Sequence, residues 1–282
     1  MCLHVERHEY TGAGYRGSPL LLIHGWGMHG GMWGNVPKIL ARHFPVLVVD
    51  LPGHGYSVGY DVGDSGKGRY AGDGADAQAL AVLDDIVDRL SERFDEPLTL
   101  CGWSLGGQIA MRWASRHRHQ VERLVAVAST PCFVSRTGWD HGLHAGLLQE
   151  FADSLQHDYA QTLRRFLALQ VRGGEQQREW LGILRETLFG RGEPGLVALR
   201  DGLKILRDLD LRNELPDIRQ PALVIAGERD MLTPPSASRY LAGHLPDARL
   251  ALVAGASHAL FLSHAEQFVN IVNTFMNERE HG

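Results

Sequence analysis

The segment Gly102-Trp103-Ser104-Leu105-Gly106 sets a serine between glycines two positions before and two positions after it. A serine held on a sharp strand-to-helix turn leaves no room for neighbouring side chains, so those flanking positions must be glycine-sized. The surroundings fit such a turn. The apolar run Leu98-Thr99-Leu100-Cys101 precedes it, a helical pattern with Ile109, Ala110 and Trp113 follows, and Gly107 lets that helix approach the sheet. Serine is a weak nucleophile at neutral pH and needs a base that a third group holds in place. With Ser104 as nucleophile on this kind of turn, an acid and then a histidine are expected later in the chain. The run 223–226 leads into Gly227-Glu228-Arg229-Asp230, and Thr233-Pro234-Pro235 then opens a helix. Asp230 is read as the orienting acid, with Glu228 its rival in the same turn. The run 250–253 leads into Gly255-Ala256-Ser257-His258, which makes His258 the expected base among fifteen histidines. His264, at the mouth of the last helix, suits a capping or exposed role better.

Acyl transfer also needs N–H donors aimed at the developing oxyanion. The Leu105 amide, directly after the serine at a helix N-terminus, is one such donor. The other is expected from His24-Gly25-Trp26-Gly27, whose glycines let the backbone approach the reaction centre, and the Trp26 amide is assigned to it. His24 is read as a loop-holding histidine rather than a catalytic one. Other chemistries find no support. The glycines of 102–107 do not make a dinucleotide fingerprint, no Walker lysine follows a glycine loop, and histidines and carboxylates do not gather at metal-ligand spacing. No cofactor and no metal are expected.

The elements that must carry these residues alternate. Short apolar runs at 19–23, 46–50, 98–101, 124–128, 221–226 and 250–253 read as strands buried on both faces of a parallel sheet. Helical patterns at 76–93, 105–117, 235–244 and 265–278 lie between and after them, which predicts a doubly wound α/β fold. Two stretches break the rhythm. Residues 133–216 show helix-like segments without a strand, separated by Gly173-Gly174 and by the glycines of 190–195. They are expected to form a helical cap inserted before the strand carrying the acid, within a core made of 1–132 and 217–282. Residues 58–74, dense in Gly and Asp, are expected to be a surface loop.

Composition bounds the partners. The chain has 282 residues, 44% of them apolar, 22% charged, and a formal charge of -5, which argues against a nucleic-acid binder. Three cysteines without paired spacing suggest no disulfide framework. Residues 1–16 are polar, so neither a secretory signal nor a transit peptide is visible, and the apolar runs are too short to span a bilayer. A cytoplasmic, monomeric enzyme with no membrane or nucleic-acid partner is the expectation.

With these residues placed, the chain resembles the pimeloyl-[acyl-carrier-protein] methyl ester esterases of biotin synthesis, carboxylesterases of the α/β-hydrolase fold. The resemblance runs from about Leu20 to the C-terminal helix. It rests on His24-Gly25-Trp26-Gly27-Met28, on Leu51-Pro52-Gly53-His54-Gly55-Tyr56-Ser57 and on the glycine-flanked serine with Gly107. It continues through Pro131-Cys132-Phe133 with Trp139, Arg165-Phe166-Leu167-Ala168-Leu169-Gln170, Leu209-Asp210-Leu211-Arg212 and Ser257-His258-Ala259. The paired Trp26 and Trp103 and the 166–170 segment are its most selective parts. The resemblance implies removal of a methyl group from a pimeloyl chain carried on acyl carrier protein. It implies a substrate site lined by Trp26, Ser104, Leu105, Phe166, Leu167, Ala168, Leu169, Gln170 and His258. It also implies docking of the acidic carrier on arginines of the cap. Here Arg164, Arg165, Arg172 and Arg178, with Arg185 and Arg191, outnumber Glu175, Glu179 and Glu186, although the wider cap is not basic. The loop 58–74 is longer than the family leads one to expect. The triad alone leaves open another small-ester or C–C bond hydrolase. A ligand-binding receptor on a hydrolase body would more often have lost one of these residues.

Overall fold

The computed structural model describes residues 2–60 and 74–278. The loop expected over 58–74 lies outside the described residues except at its ends. In chain order the described elements are β1 (Val5–His8), β2 (Leu20–Ile23), α1 (Val36–Leu40), β3 (Val46–Val49), α2 (Ala75–Ser91), β4 (Leu98–Trp103), α3 (Leu105–Arg116) and β5 (Val121–Val127). There follow α4 (Ala145–His157), α5 (Tyr159–Val171), α6 (Gln177–Thr187) and α7 (Leu196–Asp208). The chain closes with β6 (Ala222–Gly227), α8 (Pro235–His244), β7 (Ala248–Val253), α9 (Leu260–Ser263) and α10 (Ala265–Asn277).

The seven strands make one sheet in the order β1-β3-β2-β4-β5-β6-β7. Strands β2 to β7 run parallel to their neighbours, and β1 alone pairs antiparallel, with Val5 opposite Val49. The six apolar runs read from sequence all fall on strands of this sheet. Strands β2, β3, β4 and β6 are buried at every residue, as expected for a sheet covered on both faces. Strand β1 was not anticipated. Its sequence, Val-Glu-Arg-His, is polar because it lies at the sheet edge, and it carries no apolar run to betray it.

The chain leaves β2 toward β3 on one side and leaves β4 toward β5 on the other. The loops after these adjacent parallel strands therefore diverge and open a crevice at their carboxyl ends, where ligands bind in doubly wound sheets. The loop after β2 carries Trp26, and the turn after β4 carries Ser104.

Helices α4 to α7 occupy the interval between β5 and β6, where sequence patterning showed helix without strand. Asp158 caps α5 by accepting the Gln161 amide at 2.9 Å, and the two glycine clusters fall between α5 and α6 and between α6 and α7. Among the described residues no helix is long and apolar enough to cross a membrane.

Candidate active site

Ser104 sits between β4 and α3 with φ 58° and ψ −119°, a conformation that costs a non-glycine residue energy and persists only when its surroundings enforce it. They do so through backbone contacts. The Ser104 amide donates to the Val127 carbonyl at 3.0 Å, and Ser129 Oγ donates to the Ser104 carbonyl at 2.7 Å. A methyl group on Gly102 would run into the Gly106 backbone, and one on Gly106 would run into the Ile23 carbonyl. Gly107 lies equally tight against Ser129. The first turn of α3 is thus pressed onto the ends of β2 and β4, so its free N–H groups sit beside the serine.

Asp230 follows β6 and His258 follows β7. The His258 ring and the Asp230 side chain are fully buried, and His258 Nδ1 lies 2.8 Å from Asp230 Oδ2. Asp230 is saturated as an acceptor. Its Oδ1 takes the amides of Leu232 and Thr233 at 2.8 and 2.9 Å, and its Oδ2 takes the Thr233 hydroxyl at 2.6 Å. Glu228, the rival acid, is exposed and only reaches the Gly255 amide at 3.4 Å. His264 pairs with the neighbouring Ser263 hydroxyl at the start of α10. The Trp103 indole donates to the His258 carbonyl at 3.2 Å, which ties the histidine loop to the turn that holds the serine. Ser104 Oγ and His258 Nε2 are buried without a hydrogen-bond partner among the described residues. These are the two atoms that a proton transfer from serine to histidine would use.

The loop after β2 reaches the same place. A Cβ on Gly25 would stand 3.3 Å from Ser104 Cβ. Neither the Trp26 nor the Leu105 main-chain N–H makes a hydrogen bond among the described residues. His24 holds the loop: its Nδ1 meets the Gly25 carbonyl at 2.8 Å and its Nε2 accepts the Leu51 amide at 2.9 Å. Burial pushes the His24 imidazole down to about 3, and a neighbouring buried histidine, His54, down to about 4, so both are neutral near pH 7.

The 166–170 segment lies on α5, above this loop. Phe166 meets the Trp26 ring edge-to-face at 4.9 Å, and the Trp26 indole donates to the Leu199 carbonyl on α7 at 2.8 Å. On α7, a Cβ at Gly202 would fall 2.6 Å from the Trp26 ring and 3.2 Å from Leu105 Cδ2, so this glycine admits both side chains beneath the helix. The Gln170 carbonyl accepts the Ala259 amide at 3.1 Å, beside His258, and its buried Oε1 has no partner among the described residues. Leu167 is buried in the core, while Ala168 and Leu169 are half-buried on the flank of α5.

The arginines divide. Arg164, Arg165, Arg172 and Arg178 are exposed, without an ion-pair partner among the described residues, although Arg164 stacks 5.6 Å above the Phe189 ring. Arg191, counted from sequence with that surface run, is turned inward. It bridges Glu6 and the fully buried Asp50, at 3.3 Å from Asp50 Oδ1. Asp50 also accepts the Gly30 amide at 2.6 Å and the Tyr56 amide at 2.9 Å. Sequence reading missed both this bridge and the Thr233 contacts. A charged residue within a basic run gives no sign of pointing inward, whereas a threonine three residues after the acid was a usable signal.

A buried serine on a strained turn and a buried histidine–carboxylate pair are the groups that a serine hydrolase uses. The chain belongs to the α/β-hydrolase fold family, whose model matches residues 18–265. Within it, the chain is 44% identical over 263 residues to the pimeloyl-[acyl-carrier protein] methyl ester esterase of Nitrosomonas europaea, covering 93% of this chain and 96% of that one. It is 40% identical over 254 residues to the esterase of the same name from Chromobacterium violaceum, covering 90% and 92%. Among solved structures, an esterase from Exiguobacterium antarcticum superposes with a TM-score of 0.80 at 21% identity, over 98% of this chain and 96% of that one. An enol-lactonase from Burkholderia xenovorans superposes with a TM-score of 0.76 at 23% identity, over 98% and 96%. These two likenesses show the fold.

Proposed function

We propose that this chain is a serine carboxylesterase that hydrolyses the methyl ester of a pimeloyl group carried on acyl carrier protein, freeing the carboxylate needed for biotin assembly. The observation that carries the chemistry is the buried His258–Asp230 pair at 2.8 Å, whose loop the Trp103 indole ties to the strained turn that holds Ser104. The esterases that share up to 44% of its residues supply the substrate.

In this reading His258 Nε2 takes the Ser104 hydroxyl proton as Oγ attacks the ester carbonyl. The Trp26 and Leu105 amides hold the oxyanion that forms. Collapse breaks the carbonyl–methoxy bond, His258 returns the proton to the leaving oxygen, and methanol departs. Water, deprotonated by His258, then attacks the acyl-enzyme and releases the free carboxylate and Ser104. Asp230 holds the imidazole upright and stabilises the imidazolium formed in both halves. Trp26 and Phe166 provide an apolar wall for the acyl chain, and the helical segment 133–216 acts as a cap over it, with Leu167 to Gln170 completing the lining.

The exposed Arg164, Arg165, Arg172 and Arg178 are the proposed docking face for the acidic carrier. Arginine suits it because its planar fork grips carboxylates and phosphates. Steady-state kinetics with two substrates test this reading. Arg165→Glu with Arg178→Glu should raise KM for methyl pimeloyl on the carrier about tenfold at low salt, and hydrolysis of a short p-nitrophenyl ester should be unchanged. Equal losses on both substrates would mark the arginines as structural, and no loss on either would remove the docking face.

A further inference from the structure

Among the residues that touch the candidate triad, Thr233 has no role in the chemistry described so far. It is fully buried, and its amide and hydroxyl both point at the acid, the hydroxyl also at the histidine. Its amide donates to Asp230 Oδ1 at 2.9 Å, its hydroxyl donates to Asp230 Oδ2 at 2.6 Å, and the same hydroxyl oxygen lies 3.3 Å from His258 Nδ1. A threonine has one hydroxyl proton. The short contact to a carboxylate is of the charge-assisted kind and claims that proton. The hydroxyl therefore cannot also donate to His258 and can only accept from it. Nδ1 must then carry the hydrogen, shared between Asp230 Oδ2 and Thr233 Oγ1, and Nε2 is left bare.

We propose that Thr233 is a positioning residue of the triad, whose hydroxyl locks the Asp230 carboxylate in place and helps fix His258 in the tautomer with a free Nε2. It does so from rigid ground. Thr233 immediately precedes Pro234 and Pro235, which start α8, and its amide closes the turn onto Asp230, so the hydroxyl has no freedom to wander. When the imidazolium forms, the Nδ1–H gains strength as a donor and finds two acceptors already in place, with no reorganisation at that moment. The inference rests on the serine-hydrolase reading above.

Four variants test it on a short p-nitrophenyl ester. Thr233→Val keeps the shape and removes the hydroxyl, and it should lower kcat about tenfold with KM unchanged. Thr233→Ser, which restores the hydroxyl, should return kcat to within about threefold of wild type. In an Asp230→Asn background, Thr233→Val should change kcat by less than about twofold, because the residue acts through the acid. Wild-type kcat in Thr233→Val, an equal loss in Val and Ser variants, or a full tenfold loss in the Asp230→Asn background would each overturn the assignment. Ser104→Ala separates the two levels. If it is inactive while Thr233→Val is silent, only the role of Thr233 falls. If it is active, the triad falls with it.

Discussion

At the scale of single residues, burial separates the groups proposed for chemistry from their look-alikes. Asp230 and Glu228 are two residues apart on one turn, yet the first is buried against His258 and the second faces solvent. Asp230→Asn should leave His258 in place but in the wrong tautomer, lowering turnover about ten-thousand-fold. Glu228→Gln should stay within about twofold of wild type, since exposed polar groups away from the reacting atoms contribute little. Turnover of a p-nitrophenyl ester by the two variants checks this, and a reversal would make Glu228 the acid. The three proposed residues could be singled out in sequence because each follows an apolar strand, in the order that such a site requires. His24 was legible as a structural group for the same reason, since it precedes the glycines of the oxyanion loop. Thr233 and Arg191 were not read, because their roles depend on where a side chain points, and one-dimensional patterning fixes that only for apolar periodicity.

At the scale of elements, the parallel strands announce themselves by being apolar on both faces, and the edges do not. β1 has a half-exposed polar sequence, and the beginning of β7, Ala248 and Arg249, is likewise exposed enough to hide its first residues. Helices α4 to α7 were visible as helices, but the way they are fastened was not. Arg191, between α6 and α7, ties that segment to β1 through Glu6 and to the end of β3 through Asp50. Asp50 in turn grips the Gly30 amide just beyond the Trp26 loop. The Tyr56 and Gly30 amides and the Arg191 guanidinium together satisfy the buried Asp50 carboxylate. Arg191→Met would leave this buried carboxylate without its counter-charge, a change that costs about 3–5 kcal/mol in such settings. Urea denaturation should show a loss of that size, with part of it regained in the double variant carrying Asp50→Asn. A loss below about 0.5 kcal/mol would mean the bridge is solvated and holds nothing.

At the scale of the whole molecule, two buried histidines whose rings lie 5.3 Å apart, His24 and His54, tie stability to pH. His24 and His54 have imidazoles pushed by burial from 6.5 to about 3 and about 4. Unfolding lets them bind protons as pH falls below about 6.5, while the folded chain resists until far lower. Their contribution to stability is therefore full above about pH 6.5 and is lost progressively below it, by about 2 kcal/mol each at pH 5. Thermal melts should show Tm falling steadily from pH 7 to pH 5, and a flat profile over that window would contradict the neutral burial of these rings. In the proposed reaction, Ser104 of this chain cleaves a methyl ester presented on acyl carrier protein. Intact-mass spectrometry of methyl pimeloyl carrier protein after incubation with wild type and with Ser104→Ala tests it most directly. Wild type should remove one CH2 from the carrier's mass and release methanol, while Ser104→Ala, slower by on the order of a million-fold, should leave the mass unchanged. An unchanged mass with wild type, or equal demethylation by Ser104→Ala, would contradict it.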